Sequence, residues 1–424
     1  MKKALLLFLL TIPFWLRAEI YTLHFDGPID SLLEEYAVNS FKEIRKAGNA
    51  RLVIIETDTP GGYDTSMRII IKAMLNAEIP VVVYVSPKGA RAASAGFFIL
   101  LAADIAAMAP GTNTGAAHPV SVTGSDIEKT MKEKITNDAA SYIKTLARSH
   151  QRNTEMAEKA VRESQSYTAE ECLKNGLIDL IAGNTKDLIG QLQGRTLALT
   201  NGHEITLNLQ NEKVIPLEMT ERQKFLRTIT NPNLAYFLLI FGLIGLFIEF
   251  THPGVVIPGI LGGISLLLAF LAFQILPINY VGLFLILLSI GFFIAEIKIQ
   301  GFGMLGVGGI VSFVLGSIML INSPIPEMRP AMPIILTFAL CFGCIFLFLT
   351  FKVIQAMKRR KETGREGIIG ESGVAKTDVD NHQGKVFVHG EWWNAVADGL
   401  IPAGSRIQVE AVENLLLKVK KTGG

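Results

Sequence analysis

The chain is poor in charge. Only 18% of its 424 residues are Asp, Glu, Lys or Arg, against about 25% in an average soluble domain. Half of it is hydrophobic and the mean hydropathy is +0.38. These values exclude a disordered or collagen-like chain and point to a membrane protein. A net charge of +2 gives no electrostatic basis for nucleic-acid binding. Cysteine is scarce as well. Three residues exclude a disulfide scaffold, and Cys172 stands alone in the N-terminal half, away from Cys341 and Cys344. Seven histidines are scattered with no HExxH pattern, the one CxxC spacing (Cys341 and Cys344) lies within an apolar run, and no phosphate-binding loop follows a strand, so no metal and no cofactor is expected.

What is present falls into segments. Residues 1–18 have the composition of a signal peptide: Lys2 and Lys3, the apolar run 4–16, and a cleavage site at Ala18. An uncleaved anchor is the alternative, and either sends the next domain across the membrane. Residues 19–200 alternate short apolar runs with amphipathic stretches. The spacing predicts strands at Ile20–Phe25, Leu52–Thr57, Val81–Ser86 and Asp104–Ala109. Helices are predicted at Ser31–Lys46, Tyr63–Asn76, Ser94–Ala102 and Asp126–Ser149. That alternation predicts an α/β domain on a mainly parallel sheet. Residues 201–232 read as a polar connector.

From Leu234 to Val353 there are six charged side chains in 120 residues: Glu249, Glu296, Lys298, Glu327, Arg329 and Lys352. The membrane domain, 233–355, divides into about five apolar segments at 234–250, 258–276, 280–297, 303–321 and 333–353, several near the minimum length for spanning. An exported N-terminal domain plus five spans leaves the cluster Lys358, Arg359, Arg360 and Lys361 on the cytoplasmic side, as the positive-inside rule requires. Residues 245–264 align with 291–310 as an internal repeat whose shared glycines suit close helix packing. Glu249 and Glu296 in that repeat are the residues a transporter would use, and transport is one alternative function. Residues 366–424 read as a small all-β, OB-type barrel. Its Trp392 and Trp393 suit a core or a partner surface, since no basic face for nucleic acid accompanies them.

Three features bear on chemistry. Thr59–Gly62 (TPGG) follows a predicted strand, and its glycines allow a turn with exposed N–H groups. Ser94 sits between Ala93 and Ala95 at a helix entry, where a nucleophile is easily approached and an oxyanion is favoured. A base is the third requirement. Lys132, Lys134, Lys144 and His118 are all candidates, and spacing alone does not separate them. Asp138, one helical turn after Lys134, is a candidate to orient it. Met67, Phe97 and Phe98 suit either an apolar substrate pocket or the core.

The motifs ETDTPGG (56–62), ARAASAGFFILLAADIAAMAPGTNTGA (90–116) and KITNDAASYIKTLA (134–147) together resemble the Clp/crotonase-like peptidase fold. Residues 166–189 resemble the closing segment of its signal peptide peptidase branch. The whole order of signal, protease-like domain, spans and barrel resembles the long form of the NfeD family, membrane-bound serine proteases paired with stomatin-like proteins. The resemblance implies Ser94 as nucleophile and Lys134 as its dyad base, with His118 as the alternative base. It implies an oxyanion hole from the backbone N–H of Gly62 or Gly61 and that of Ala95. It also implies apolar peptide substrates, in particular part of a stomatin- or prohibitin-like membrane partner, and a homo-oligomer. The bacterial inner membrane would hold the chain, its protease domain outside and its barrel in the cytoplasm. The alternative function is a non-proteolytic scaffold that organises stomatin-like proteins.

Overall fold

The computed structural model describes residues 19–121, 128–198, 204–210, 212–299, 303–323, 325–358 and 365–423. The proposed signal at 1–18 therefore lies outside the described residues. The N-terminal domain begins β1 (Glu19–Asp26), α1 (Ser31–Ala47), β2 (Ala50–Asp58), α2 (Asp64–Leu75), β3 (Val81–Val85), β4 (Arg91–Ala93), α3 (Ala95–Leu101), β5 (Ile105–Met108) and β6 (Asn113–Gly115). It continues with α4 (Lys129–Ser149), α5 (Thr154–Arg162), β7 (Ser166–Thr168), α6 (Ala169–Lys174), β8 (Leu180–Ile181) and α7 (Thr185–Leu192). Then come β9 (Thr196–Ala198), β10 (Glu204–Thr206), β11 (Lys213–Pro216) and α8 (Glu221–Ile229).

Six strands form a parallel sheet in the order β11-β1-β2-β3-β5-β8. Its centre is β3, VVVYV, buried on both faces, which is why that strand reads as an unbroken apolar run. One face packs Leu23, Phe25, Val53, Ile55 and Val83 against the helices; the other packs Ile20, Leu52, Ile54, Val82 and Tyr84. Met67, Phe97 and Phe98 belong to the first of these cores and are almost fully buried. A smaller sheet, β4-β6-β7, is joined to the end of β2 through the Thr59–Ala92 bridge. The stretch 201–232 is more than a connector. Residues 213–216 add an edge strand beside β1, and α8 is closed by a capping box of Thr220 and Gln223. A four-residue strand ending in proline carries too little periodicity to be read from sequence.

Five apolar helices follow: α9 (Pro232–Thr251), α10 (Ile257–Phe273), α11 (Tyr280–Ile299), α12 (Met304–Leu320) and α13 (Met332–Lys358). Among the described residues two segments are long and apolar enough to cross a membrane, Pro232–Thr251 and Pro326–Lys352; the apolar helices Ile257–Phe273, Tyr280–Glu296 and Met304–Leu320 are shorter. α9 with α10 and α11 with α12 form hairpins zipped by glycine. A Cβ on Gly245 would lie 2.4 Å from the Pro258 carbonyl oxygen, and one on Gly316 would lie 2.8 Å from that of Gly282. Such approach is what small residues permit where packing rather than water exclusion holds helices together. Tyr236 of α9 donates to Ser317 Oγ of α12 at 2.8 Å and so ties the two hairpins.

The acidic residues of the repeat are used locally. Glu296 accepts from the N–H groups of Gly303 (2.7 Å), Leu305 (3.0 Å) and Gly306 (3.2 Å), capping α12. Glu249 reaches the Gly254 N–H at 3.5 Å in the other hairpin turn. This capping accounts for the Glu296 carboxylate without a transported ion.

The second unit ends in β12 (Ser372–Ala375), β13 (Lys385–Val388), β14 (Glu391–Val396), β15 (Arg406–Glu413) and β16 (Leu416–Lys421), closed as a barrel in the order β12-β13-β14-β16-β15. Val386, Val388, Ala395, Ile407, Val409, Leu417 and Val419 fill it. Trp393 packs on that core, whereas Trp392 is exposed and meets Phe387 edge-on at 6.1 Å.

The hairpin contacts give a direct test. Gly316→Leu forces α11 and α12 apart and is expected to cost about 1–3 kcal/mol, lowering the melting temperature in detergent. Gly263→Leu, where an added Cβ meets nothing within 4 Å, is expected to leave it unchanged.

Candidate active site

Ser94 lies between β4 and α3 with φ 51° and ψ −116°. A positive φ in a residue with a Cβ is strained by roughly 1–3 kcal/mol and persists only where neighbours enforce it. Here the Ser94 N–H donates to the Gly115 carbonyl at 2.9 Å, and the Ser94 carbonyl accepts from Phe97 N–H at 3.0 Å. A sharp strand-to-helix turn of this kind pushes a serine hydroxyl out of the fold. The side chain is half-buried, and its hydroxyl makes no hydrogen bond among the described residues.

The Thr59–Gly62 turn closes on Ser94 from the other side. A Cβ on Gly61 would stand 2.6 Å from Ser94 Cβ and 3.1 Å from its Oγ, so only glycine fits there. The Gly61 N–H is held by Thr59 Oγ1 at 3.1 Å. The backbone of Ile29 carries the turn, taking its N–H to the Gly61 carbonyl (2.9 Å) and accepting from Tyr63 N–H (2.8 Å). A Cβ on Gly62 would fall 2.1 Å from the Ile29 oxygen. Among the described residues the N–H groups of Gly62 and Ala95 have no acceptor.

The candidate bases are placed differently. Lys134 lies in the second turn of α4, exposed, without an ion pair or hydrogen bond among the described residues. Asp138 does not orient it: its carboxylate binds Arg68 of α2 at 2.5 Å, because that guanidinium, stacked over Tyr142 at 4.4 Å, is the nearer cation. Lys144 is taken by Glu158 at 2.7 Å. His118 is half-buried, with Nδ1 3.0 Å from the Val161 carbonyl and no hydrogen bond to Ser94. The structure thus brings Ser94, Gly61, Gly62 and Ala95 together and leaves Lys134 and His118 outside hydrogen-bond contact with the serine. No group of His, Cys, Asp and Glu able to hold a metal occurs among the described residues.

Membrane-side segments touch the same loops. Tyr63 reaches the Ile275 carbonyl at 3.5 Å, and burial pushes its hydroxyl up to about 12. Arg91, three residues before Ser94, pairs with Glu327 in the loop before α13.

A separate open crevice of about 860 Å³ lies over the carboxyl ends of β1, β2 and β3, lined by His24, Glu56, Tyr84, Lys88, Asn184 and Thr185 among others. Sequence reading missed it, because its residues come from distant strands and carry no motif. Within it His24 and Glu56 pair at 3.1 Å. The hydrogen bond to Glu56 raises the His24 imidazole, against burial. That same bond lowers Glu56, again against burial, and the Thr185 hydroxyl adds to the lowering.

Taken together, an α/β parallel-sheet domain with a strained serine beside two free backbone N–H groups is joined to an apolar helical block and a β-barrel. Three family models match in that order: the NfeD1b N-terminal domain over 19–194, the NfeD integral membrane domain over 233–352, and the NfeD-like C-terminal, partner-binding domain over 365–421. The chain is 35% identical to the membrane-bound protease PH1510 of Pyrococcus horikoshii, covering 99% of this chain and 98% of that one. It is 26% identical to the membrane protein NfeD1b of Bacillus subtilis, over 69% and 65% of the two chains. The chain belongs to the NfeD family and is a membrane protein. Solved structures of 1510-N, a membrane protease specific for a stomatin homolog from Pyrococcus horikoshii, match the N-terminal half. One covers 50% of this chain and 99% of its own at 34% identity and a TM-score of 0.44. A lysine-to-alanine mutant with a substrate peptide covers 50% and 98% at 35% identity and 0.46.

Two outcomes follow from this geometry. Gly62→Ala is expected to break the turn against Ile29 and cost roughly 1–3 kcal/mol, seen as a lower melting temperature. The His24–Glu56 pair has a pH signature. A raised His24 contributes stability in full below its ordinary 6.5, lost as pH rises through the folded value; a lowered Glu56 contributes above its ordinary 4.5, lost as pH falls through the folded value. The melting-temperature gap between wild type and Glu56→Gln should therefore be widest between those two values and narrow on the alkaline side.

Proposed function

We propose that the chain is a membrane-anchored serine endopeptidase with Ser94 as nucleophile and Lys134 as base. The observation that carries this reading is the strained Ser94 turn packed on Gly61, with the adjoining N–H groups of Gly62 and Ala95 unengaged among the described residues. Whole-length likeness to a relative named a membrane-bound protease supports it. In the reaction Lys134, as the neutral amine, takes the Ser94 hydroxyl proton, and Oγ bonds to the peptide carbonyl carbon. The carbonyl oxygen, now negative, sits between the two backbone donors. Collapse of the tetrahedral species breaks the C–N bond, and Lys134 returns the proton to the departing amine. Water, deprotonated by the same lysine, then releases the acyl group. Gly62 is favoured over Gly61 as donor, because the Gly61 N–H is already held by Thr59.

Lys134 is exposed in the free chain. An apolar peptide lying over α4 would desolvate it and favour the neutral amine. The base is thus completed by the substrate, and apolar segments are the class that does so. A stomatin-like membrane protein is the proposed partner and substrate source, the barrel its docking domain. The N-terminal domain takes the Clp/crotonase-like peptidase fold and acts outside the cytoplasm. Five spans bring the basic run 358–361 and the OB-type barrel inside. The scaffold reading has one observation on its side, the unpaired, exposed Lys134.

The test is cleavage of quenched apolar peptides by the full chain in detergent. Ser94→Ala and Lys134→Ala are each expected to lower kcat/KM by on the order of a thousandfold or more, while His118→Ala stays within a few-fold. The wild-type rate is expected to climb toward alkaline pH. A folded wild type that neither cleaves nor reacts with a serine-directed phosphonate leaves the scaffold reading in its place.

A further inference from the structure

We infer that Arg227, in the juxtamembrane helix α8, is a positioning residue that holds the oxyanion turn from the membrane side. The inference rests on the endopeptidase reading above and adds to it a residue outside the protease-domain match, which ends at 194. Arg227 Nη1 donates to Asp30 Oδ2 at 3.0 Å, with the two side chains 25% and 8% exposed. Its Nη2 donates to the Asp26 carbonyl. Between those two anchors runs the β1–α1 loop, where Gly27 leaves room for the guanidinium: a Cβ there would stand 2.7 Å from Nη2. One guanidinium therefore bridges both ends of a five-residue loop, which a fork of fixed geometry does and a single ammonium does less well.

That loop contains Ile29, the residue whose backbone N–H and carbonyl clamp Gly61 and Tyr63 on either side of Gly62. Asp30 is fixed from its other oxygen by the N–H groups of Leu32 (3.1 Å) and Leu33 (2.9 Å), so the loop cannot slide along α1. The path from Arg227 to the Gly62 N–H is thus one side-chain contact and one pair of backbone hydrogen bonds. α8 in turn is seated by Leu226 and Ile229 against Leu32, with Leu271 of α10 beside them, and leads within two residues into α9. A shift of α8 against the sheet would move the donor that receives developing negative charge. Misplacement of that kind is felt in the transition state and little in ground-state binding.

The experiment uses the full chain in detergent with a quenched apolar peptide. Arg227→Ala is expected to lower kcat by on the order of ten- to a hundredfold with KM within about twofold. Phosphonate labelling of Ser94 should slow in parallel. Arg227→Lys should recover part of the loss. Peptide affinity measured on Ser94→Ala should be unchanged when Arg227→Ala is added, which also reports that the double variant is folded. An unchanged kcat in folded Arg227→Ala overturns the inference, as does a loss confined to peptide affinity, or Arg227→Lys no better than alanine. If Arg227→Ala does not fold, Arg227→Lys and Arg227→Gln carry the test, and an unchanged kcat in both overturns it. A wild type that cleaves nothing is a different failure: it removes the endopeptidase reading itself, and the inference falls with it.

Discussion

The backbone of Ile29 lies so close to Gly62 that no side chain fits between them, and the candidate site is built outward from that contact. On one side Ile29 is carried by β1 and the N-cap of α1. On the other the Gly61–Gly62 turn presses against Ser94 and, among the described residues, leaves the Gly62 N–H without an acceptor. Two glycines in succession are required for different reasons: Gly61 for its φ of 110° and its contact with Ser94, Gly62 for its contact with Ile29. The strain at Ser94 is sustained because β6, through Gly115, and α3 hold both of its backbone groups. A serine in a relaxed helix would present its hydroxyl less freely and would not sit beside these donors.

The apolar half of the chain is organised by a different force with the same residue. In the hairpins glycine admits a neighbouring helix backbone, and no water exclusion is needed to keep it there. Glu296, a carboxylate that looks out of place in such a block, is absorbed as a cap. Three N–H groups at the start of α12 converge on Glu296. A group so satisfied has little reason to bind a passing ion, which weighs against transport on grounds of hydrogen bonding rather than of fold.

Much of this was legible in the sequence. β3 and the central strands are buried, β-branched runs, and period and composition find them. The helix entry at Ser94 and the PGG turn were readable because small residues at both positions have a steric cause. What escaped was non-local. The β11 edge strand is four residues long, and nothing local marks LysValIlePro as the neighbour of β1. The partner of Asp138 could not be read from helical spacing, since Arg68 comes from another helix 70 positions away. The same limit hid His24, Glu56 and Thr185, which meet only because parallel strands align their carboxyl ends. The Thr59 hydroxyl that engages the Gly61 N–H and not that of Gly62 was likewise visible only once the turn had a shape.

The exposed Lys134 need not count against a lysine base. A serine–lysine pair that were complete in the free chain would have to bury an amine next to a nucleophile with nothing between them and water but protein. Desolvation sufficient to neutralise lysine takes several pKa units, and a surface helix cannot provide it alone. α4 is amphipathic, with Ala139, Ala140, Ile143, Leu146 and Ala147 buried and its first turns exposed, while Tyr142 further along it stacks on Phe98 of α3 at 6.0 Å. The covering layer must therefore come from outside the domain. An apolar peptide supplies it and at the same time places its carbonyl at the two donors. Polar peptides would leave the ammonium hydrated and protonated. Under the proposed Ser94–Lys134 pairing, selectivity for apolar segments and activation of the base are one event.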